Sequence, residues 1–324
     1  MTLTSIPATF EVVTLSVLVL ILLVDVLLIF KRPHVPSMRE SAIWVSFYAV
    51  LAIIFGISLG FYSNADRAGE FFAGWLTEYS LSVDNLFVFI IIFARFAVPK
   101  KYQQEVLMVG VIMALILRAI FIFLGVAILE AFTGVFYLFG AFLLYTAYHQ
   151  LKRKKDDEEE SESKLTKFLS KRIAYSETYD GMKLRTMIDG KKTFTPMVVV
   201  FITIALTDVM FAFDSIPAIF GITTDPFIVL TANIFALMGL RQLYFLLGGL
   251  MERLRYLEYG IAAILAFIGF KLITHAMHEN EIPFINGGEK ILWAPEISTT
   301  TSLVVIVSCI AISAIASLVV TRKK

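Results

Sequence analysis

Nine apolar stretches, each close to the length that crosses a bilayer, constrain this chain more than any other feature. A membrane helix needs about 20 largely apolar residues. Such runs fall near 12–30, 41–62, 70–94, 105–129, 131–151, 196–221, 226–250, 256–276 and 300–320. Inside hydrocarbon every backbone N–H and C=O must be paired within its own segment, which favours helices. Hydrophobic types make up 58% of the 324 residues and charged types only 17%, a balance foreign to soluble domains. The expected fold is all-α: a polytopic membrane protein of about nine transmembrane helices, with 1–324 as a single transmembrane domain.

Composition excludes several classes of chemistry. The net charge is +1, so no global field attracts nucleic acid. The single cysteine, Cys309, allows neither an internal disulfide nor a cysteine-rich metal site. The four histidines, His34, His149, His275 and His278, do not lie mid-span beside acidic residues, which argues against an imidazole- or thiolate-bound zinc or copper site there. The first apolar run lacks a preceding basic region and a small-residue cleavage site. It is read as a retained helix rather than a removed signal.

Charge alternates from loop to loop. Lys31, Arg32 and Arg39 follow the first run, and Asp66, Arg67 and Glu70 follow the second. Arg95, Lys100 and Lys101 follow the third, and the fourth and fifth meet near Glu130. Loop 152–195 is long and basic at its start, Arg253 and Arg255 follow the seventh run, and an acidic loop follows the eighth. Every second loop is the Lys/Arg-rich one, so the positive-inside rule places the N-terminus outside and the C-terminus inside. Loop 152–195 reads as a solvated, partly disordered cytoplasmic linker.

Two runs carry carboxylates at their centres, at about +2.5–3.5 kcal/mol each on insertion scales. Glu78 and Asp84 stand six residues apart in the third run, and Asp208 and Asp214 six apart in the sixth. Charges kept inside a membrane usually face a partner, an ion or water. The likeness extends further. Leu117-Arg118 with Gly125 seven residues later matches Leu240-Arg241 with Gly248, and Ala114-Leu115 matches Ala236-Leu237. Runs 3–5 (70–151) and 6–8 (196–276) therefore read as a three-helix repeat whose copies enter from opposite sides. Inverted repeats of this kind build transporter sites near the midplane.

In a regular helix a six-residue step separates two side chains by about 120° and about 9 Å of rise. One helix would present both carboxylates on one face only if locally broken. Pro217 has no N–H to give the Phe213 carbonyl, which supplies a reason for such a break and a further oxygen ligand. In the third run Ser80, Ser82 and Asn85 could supply oxygens or stabilise a distortion, and Ser215 stands beside Asp214. Four ionised acids against Arg118 and Arg241 leave two negative charges, a balance that suits a divalent cation. Oxygen donors favour Mn²⁺, Mg²⁺ or Ca²⁺ over softer metals. Desolvation and like-charge crowding favour protonated carboxylates, so a proton could exchange for the metal. The plainer alternative is two buried ion pairs that only fix helix register.

Other features read structurally. Arg118 and Arg241 are expected as counter-ions, and Asp25 as a capping or paired acid or an entry ligand. Lys271 is expected to snorkel outward. Gly56 and Gly60 suggest close helix packing, and Trp44 and Trp75 interfacial anchoring. His275 and His278 read as polar residues at a helix end, with a weak outer metal site as the sharper alternative.

The stretches Ser80-Leu81-Ser82-Val83-Asp84-Asn85-Leu86-Phe87 and Phe211-Ala212-Phe213-Asp214-Ser215-Ile216-Pro217-Ala218-Ile219 resemble the TerC family of integral membrane proteins. So do Thr224-Asp225-Pro226-Phe227-Ile228-Val229 and Gly239-Leu240-Arg241-Gln242-Leu243-Tyr244-Phe245. The likeness covers about residues 40–275. It implies a bacterial plasma-membrane transporter related to the LysE superfamily, with Mn²⁺ export as the activity of several members and tellurite resistance as the origin of the name. By that resemblance Glu78, Asp84, Asp208 and Asp214 are the metal ligands. Some members carry a further Glu three residues before the first Asp of the sixth run, where this chain has Ala205.

The expectation is a non-enzymatic exporter of Mn²⁺ or another divalent cation, with H⁺ as a candidate coupling ion and no prosthetic group. Glu78, Asp84, Asp208 and Asp214 would bind the ion, aided by Asn85, Ser215 and the Phe213 carbonyl. The bilayer is its surrounding; the residues leave its oligomeric state open. The rivals are an intramembrane aspartyl-type enzyme, for which no Gly-x-Gly-Asp signature is present, and a membrane component of a tellurite-resistance or metal-delivery complex.

Overall fold

A computed structural model describes residues 6–31, 36–132, 134–152, 176, 178–188, 191–247, 256–280 and 282–321. The side chains at several helix positions, Asp84 and Asp214 among them, lie outside the described residues. The apolar runs form helices α1 (Ala8–Lys31), α2 (Met38–Tyr62), α3 (Ala65–Arg95), α4 (Lys100–Ala131) and α5 (Val135–Lys152). They continue as α6 (Pro196–Phe220), α7 (Pro226–Met238), α8 (Leu240–Leu247), α9 (Leu257–His278) and α10 (Thr299–Thr321).

The starts are written locally. Ser37 accepts from the Glu40 N–H and Asn64 from the Arg67 N–H. Asp225 accepts from the N–H groups of Phe227 and Ile228, with Pro226 in the first turn of α7, where its missing N–H costs nothing. Among the described residues, eight segments are long and apolar enough to cross a membrane, with α7 and α8 joined as one. The remaining run, 131–151, is α5, 18 residues long and polar at its end through His149, Gln150 and Lys152. The seventh run is two helices rather than one, because Gly239 caps α7 before α8 begins.

Helix directions follow from two packed clusters. Phe71–Leu81 of α3 pack with Ile122 and Leu129 of α4, Ala212–Phe220 of α6 and Phe227–Phe235 of α7. Val83–Phe93 of α3 pack with Val106–Ala114 of α4, Met197–Ile204 of α6 and Leu237–Tyr244. Hence α3 and α7 run one way, and α4 and α6 run the other. The most extensive partners are α5 with α9, α3 with α7, and α4 with α6; α10 packs on both α9 and α3, and α3 also meets α2 and α6. The α3 and α7–α8 segments are the most buried spans and also the least apolar. Lipid-facing helices must be apolar, whereas a central helix can carry polar groups that neighbours satisfy.

Glycines permit the closest approaches. A Cβ on Gly140 of α5 would stand 2.8 Å from the Gly269 carbonyl of α9. Phe136 meets His275 edge-on, so α5 and α9 are antiparallel. Gly56 faces the Phe72 ring and Gly60 faces Ala68, which is the expected close packing of α2 on α3.

Three expectations are corrected. Trp75 is buried and stacked on Phe71 rather than placed as an interfacial anchor. Lys271 does not snorkel freely: its Nζ donates to Ser302 Oγ of α10 at 3.1 Å. Part of the expected linker is folded, as a hairpin of β1 (Arg185–Ile188) and β2 (Lys191–Phe194) with Arg185 opposite Phe194. The Thr195 hydroxyl donates to the Lys183 carbonyl, and Tyr179 Oη donates to the Phe96 carbonyl at the end of α3. Residues 153–175 of that loop lie outside the described residues.

Candidate functional site

α3 and α6 are both unbroken helices, including the turn around Pro217. This corrects the expected local break. A proline removes one hydrogen bond and crowds the preceding turn, but packed neighbours hold the helix on course: Ile216, Ala218, Ile219 and Phe220 are all buried. The six-residue spacing therefore leaves the two acids of each helix at different heights and angles. Convergence comes from one acid of each helix.

Arg118 of α4 makes that convergence. Its Nη1 donates to Glu78 Oε2 at 2.5 Å and to Asn233 Oδ1 of α7 at 2.9 Å. Its Nε lies 3.8 Å from Asp208 Oδ1 of α6. Asn233 in turn donates to the Val229 carbonyl of its own helix at 3.1 Å. All four side chains are buried. Asn233 does not figure among the sequence expectations, although an amide within a membrane span is a visible signal.

The network is incompletely satisfied within the protein. Glu78 Oε1, Asp208 Oδ2, Arg118 Nη2, Ser82 Oγ, Thr77 Oγ1 and Ser215 Oγ are buried without a protein partner. An unpaired buried polar group costs about 1–3 kcal/mol. These atoms lie on α3, α4 and α6. The oxygen donors fit a hard cation.

The four acids sort into two levels. A Cβ on Gly74 would lie 3.3 Å from Ile219 Cδ1, which aligns antiparallel α3 and α6. Counting about 1.5 Å of rise per residue from that contact, the backbones of Glu78 and Asp214 share one level. Those of Asp84 and Asp208 share a second, about 9 Å along the helix axes. Arg118 bridges the levels. Among the described residues no group of three His, Cys, Asp or Glu side chains is placed to hold a metal; the side chains of Asp84 and Asp214 lie outside that description.

The auxiliary positions divide. Asn85 and Ser215 are buried on α3 and α6. Ser80 spends its hydroxyl on the Leu76 carbonyl at 2.8 Å. The Phe213 side chain is exposed, with its ring beside Phe121. Arg241 does not join Arg118: its Nη2 donates to Asp25 Oδ1 of α1 at 2.9 Å.

Beyond the N-terminal end of α3 lies a cavity of about 450 Å³ lined by Asn64, Asp66, Arg67, Glu70, Lys271 and His275, among others. Arg67 Nη1 bridges Glu70 at 3.1 Å and Asp225 at 3.2 Å, and Thr223 Oγ1 donates to Glu70 at 2.7 Å. His278 Nε2 is 2.7 Å from the Ala294 carbonyl, a contact that pins the following loop. Lys290 beside Glu279 holds that carboxyl below the usual carboxylate range.

Residues 63–324 match the profile of the integral membrane protein TerC family. An uncharacterised membrane protein of Mycobacterium tuberculosis is 44% identical over 301 residues, covering 92% of this chain and 76% of that one. One from Myxococcus xanthus is 39% identical over 259 residues, covering 80% and 81%. The protein named "Putative membrane-bound redox modulator Alx" in Escherichia coli K12 is 40% identical over 266 residues, covering 79% and 83%. No solved structure matches the chain.

Proposed function

Because the chain belongs to the TerC family of integral membrane proteins, we propose that it carries a divalent metal cation across a bacterial inner membrane, with Mn²⁺ as the cargo and export as the direction. The observation that carries this reading is the buried pair Glu78 and Asp208. The two come from antiparallel helices, share Arg118, and each keeps one oxygen free of any protein partner. Asp84 and Asp214 complete the oxygen donors, with Asn85, Ser215 and the Phe213 carbonyl as auxiliary ligands.

The helix pairing supports an inverted repeat. Exchanging α3 with α6 and α4 with α7 turns the α3–α7 contact into the α6–α4 contact, and both are extensive and parallel. It also maps Glu78 onto Asp208 and Asp84 onto Asp214, which reproduces the two levels of acids. Rocking of one half against the other around this centre would give alternating access. With α5 counted as a span, the N-terminus is outside and the C-terminus inside. The Arg67 cavity then opens outward and the 185–194 hairpin lies inward.

Charge supports exchange with protons. With Arg241 held by Asp25, four ionised acids against Arg118 leave three negative charges rather than two. A divalent ion and one proton neutralise the site, as do three protons without the ion. Two protons would then return for each cation. The pairing of like helices, α3 with α7 and α6 with α4, favours transport over peptide cleavage.

The test is Mn²⁺ content and efflux in cells lacking their own exporters. The intact protein is expected to lower cell Mn²⁺, and Asp208→Asn and Asp214→Asn each to abolish the effect. Efflux left intact in both variants would remove the site; no Mn²⁺ efflux from the intact, inserted protein would remove the cargo.

A further inference from the structure

The last tryptophan of the chain, Trp293, lies in the loop between α9 and α10. That loop folds back on the helix it leaves. The final carbonyls of a helix have no partner within it. Here the Ile291 N–H donates to the Met277 carbonyl at 2.9 Å, and His278 Nε2 lies 2.7 Å from the Ala294 carbonyl. The two contacts flank Leu292 and Trp293 and hold the pair level with the final turn of α9. The rest of the loop is tied to itself. Asn280 Nδ2 donates to the carbonyls of Ile285 at 2.7 Å and Glu289 at 3.1 Å, and Lys290 donates to Glu279.

The depth of that turn follows from helix length. α9 has 22 residues, Leu257–His278. At about 1.5 Å of rise each it measures about 33 Å, against a hydrocarbon core of about 30 Å. Its final turn therefore stands where hydrocarbon gives way to headgroups. The next span, α10, begins at Thr299, only a few residues after Trp293. At this depth Leu292 is 74% and Trp293 82% exposed, while Ala294 beside them is buried. A tryptophan has an apolar ring and one N–H to satisfy, which suits a boundary that is apolar on one side and wet on the other.

We propose that Leu292 and Trp293 seat this loop in the lipid interface at the C-terminal end of α9, with Trp293 as the interfacial anchor. Trp75, from which anchoring was expected, is packed inside against Phe71. Two side chains by themselves fall far short of the roughly 800 Å² per partner of a stable protein interface, whereas lipid surrounds the end of a membrane span in any case. The seat fixes the height of a segment that walls a cavity of about 220 Å³, lined by Lys271, His275, His278, Glu279, Lys290 and Glu296 among others. The inference stands apart from the transport reading, because it depends on no ion.

The experiment is tryptophan fluorescence of the purified full chain in phosphatidylcholine vesicles, with lipid brominated near the glycerol end of its acyl chains as the quencher. Subtracting the emission of Trp293→Phe isolates Trp293 from Trp44 and Trp75; Trp293→Tyr serves the same purpose should the Phe variant not fold. The Trp293 emission is expected to lose most of its intensity in brominated vesicles. Emission that brominated lipid leaves unchanged would overturn the proposal. Iodide, confined to water, then tells the reason: quenching by iodide would place the loop in water, and protection from both would place a protein neighbour, such as a second copy of the chain, on Trp293. Leu292→Trp in the Trp293→Phe chain is expected to regain emission that brominated lipid quenches. Emission there that only iodide quenches would overturn the part assigned to Leu292.

Discussion

Arg118 Nη1 and Glu78 Oε2 come from residues forty apart in the sequence and meet at 2.5 Å, with both side chains sealed inside the bundle. Removing one partner of a buried pair costs about 3–5 kcal/mol, whereas replacing both by neutral groups is often close to neutral. Arg118→Gln is therefore expected to lower the unfolding temperature markedly, and Glu78→Gln added to it to recover most of the loss. Thermal unfolding of the two variants checks this; equal losses in the single and double variants would show that the pair is not coupled.

Asn233 offers its amide oxygen to Arg118 and its amide nitrogen to Val229. Asn233→Leu keeps the volume roughly and removes both bonds. A loss of about 1–3 kcal/mol is expected from the buried donor left behind. If Arg118 is positioned through Asn233, Mn²⁺ efflux also falls in a variant that still folds; undiminished efflux would confine Asn233 to a structural part.

The α5–α9 seam depends on backbone approach. Gly140→Val would drive its Cβ to 2.8 Å from the Gly269 carbonyl and close to Ile273. Overpacking of this kind costs about 1–3 kcal/mol. The same substitution at Gly60, whose Cβ would have 3.4 Å of room to Ala68, is expected to be milder. Comparing the two unfolding temperatures tests the seam directly.

Arg67 provides the contrast to Arg118. Its bridge to Glu70 and Asp225 joins the start of α3 to the start of α7, but the Arg67 side chain is 29% exposed. Solvent-screened pairs are worth about 0–1 kcal/mol. Arg67→Gln is expected to leave the unfolding temperature within a few degrees of the unaltered protein. A fall as large as that of Arg118→Gln would show the bridge to be far better shielded than its exposure indicates.

Glu279 titrates outside the membrane-spanning helices. Its hydrogen bond from Lys290 lowers its folded-state value. A lowered carboxylate contributes stability above its unfolded value, about 4.3, and loses it as pH falls through the folded value. Titration of the Glu279 carboxyl by NMR is expected to show a rise on Lys290→Gln. No movement would detach the shift from Lys290.

The apolar runs by themselves determined the helices, because hydrocarbon leaves the backbone no other way to pair its polar groups. Ser37, Asn64 and Asp225 marked helix starts that the fold uses. The likeness of α3 and α6 was legible in the six-residue spacing of Glu78 and Asp84 and of Asp208 and Asp214. Tertiary structure alone decided which charge meets which. A helix surface shows where Arg118 and Arg241 stand, but their long side chains choose among partners on several neighbours. One took Glu78 of α3 and the other Asp25 of α1. Likewise Pro217 forbids one hydrogen bond locally, yet α6 continues through it, with Ile216, Ala218, Ile219 and Phe220 buried. Local rules act over a turn or two of chain. The partner of a buried charge is set by helices that meet only after the bundle has closed.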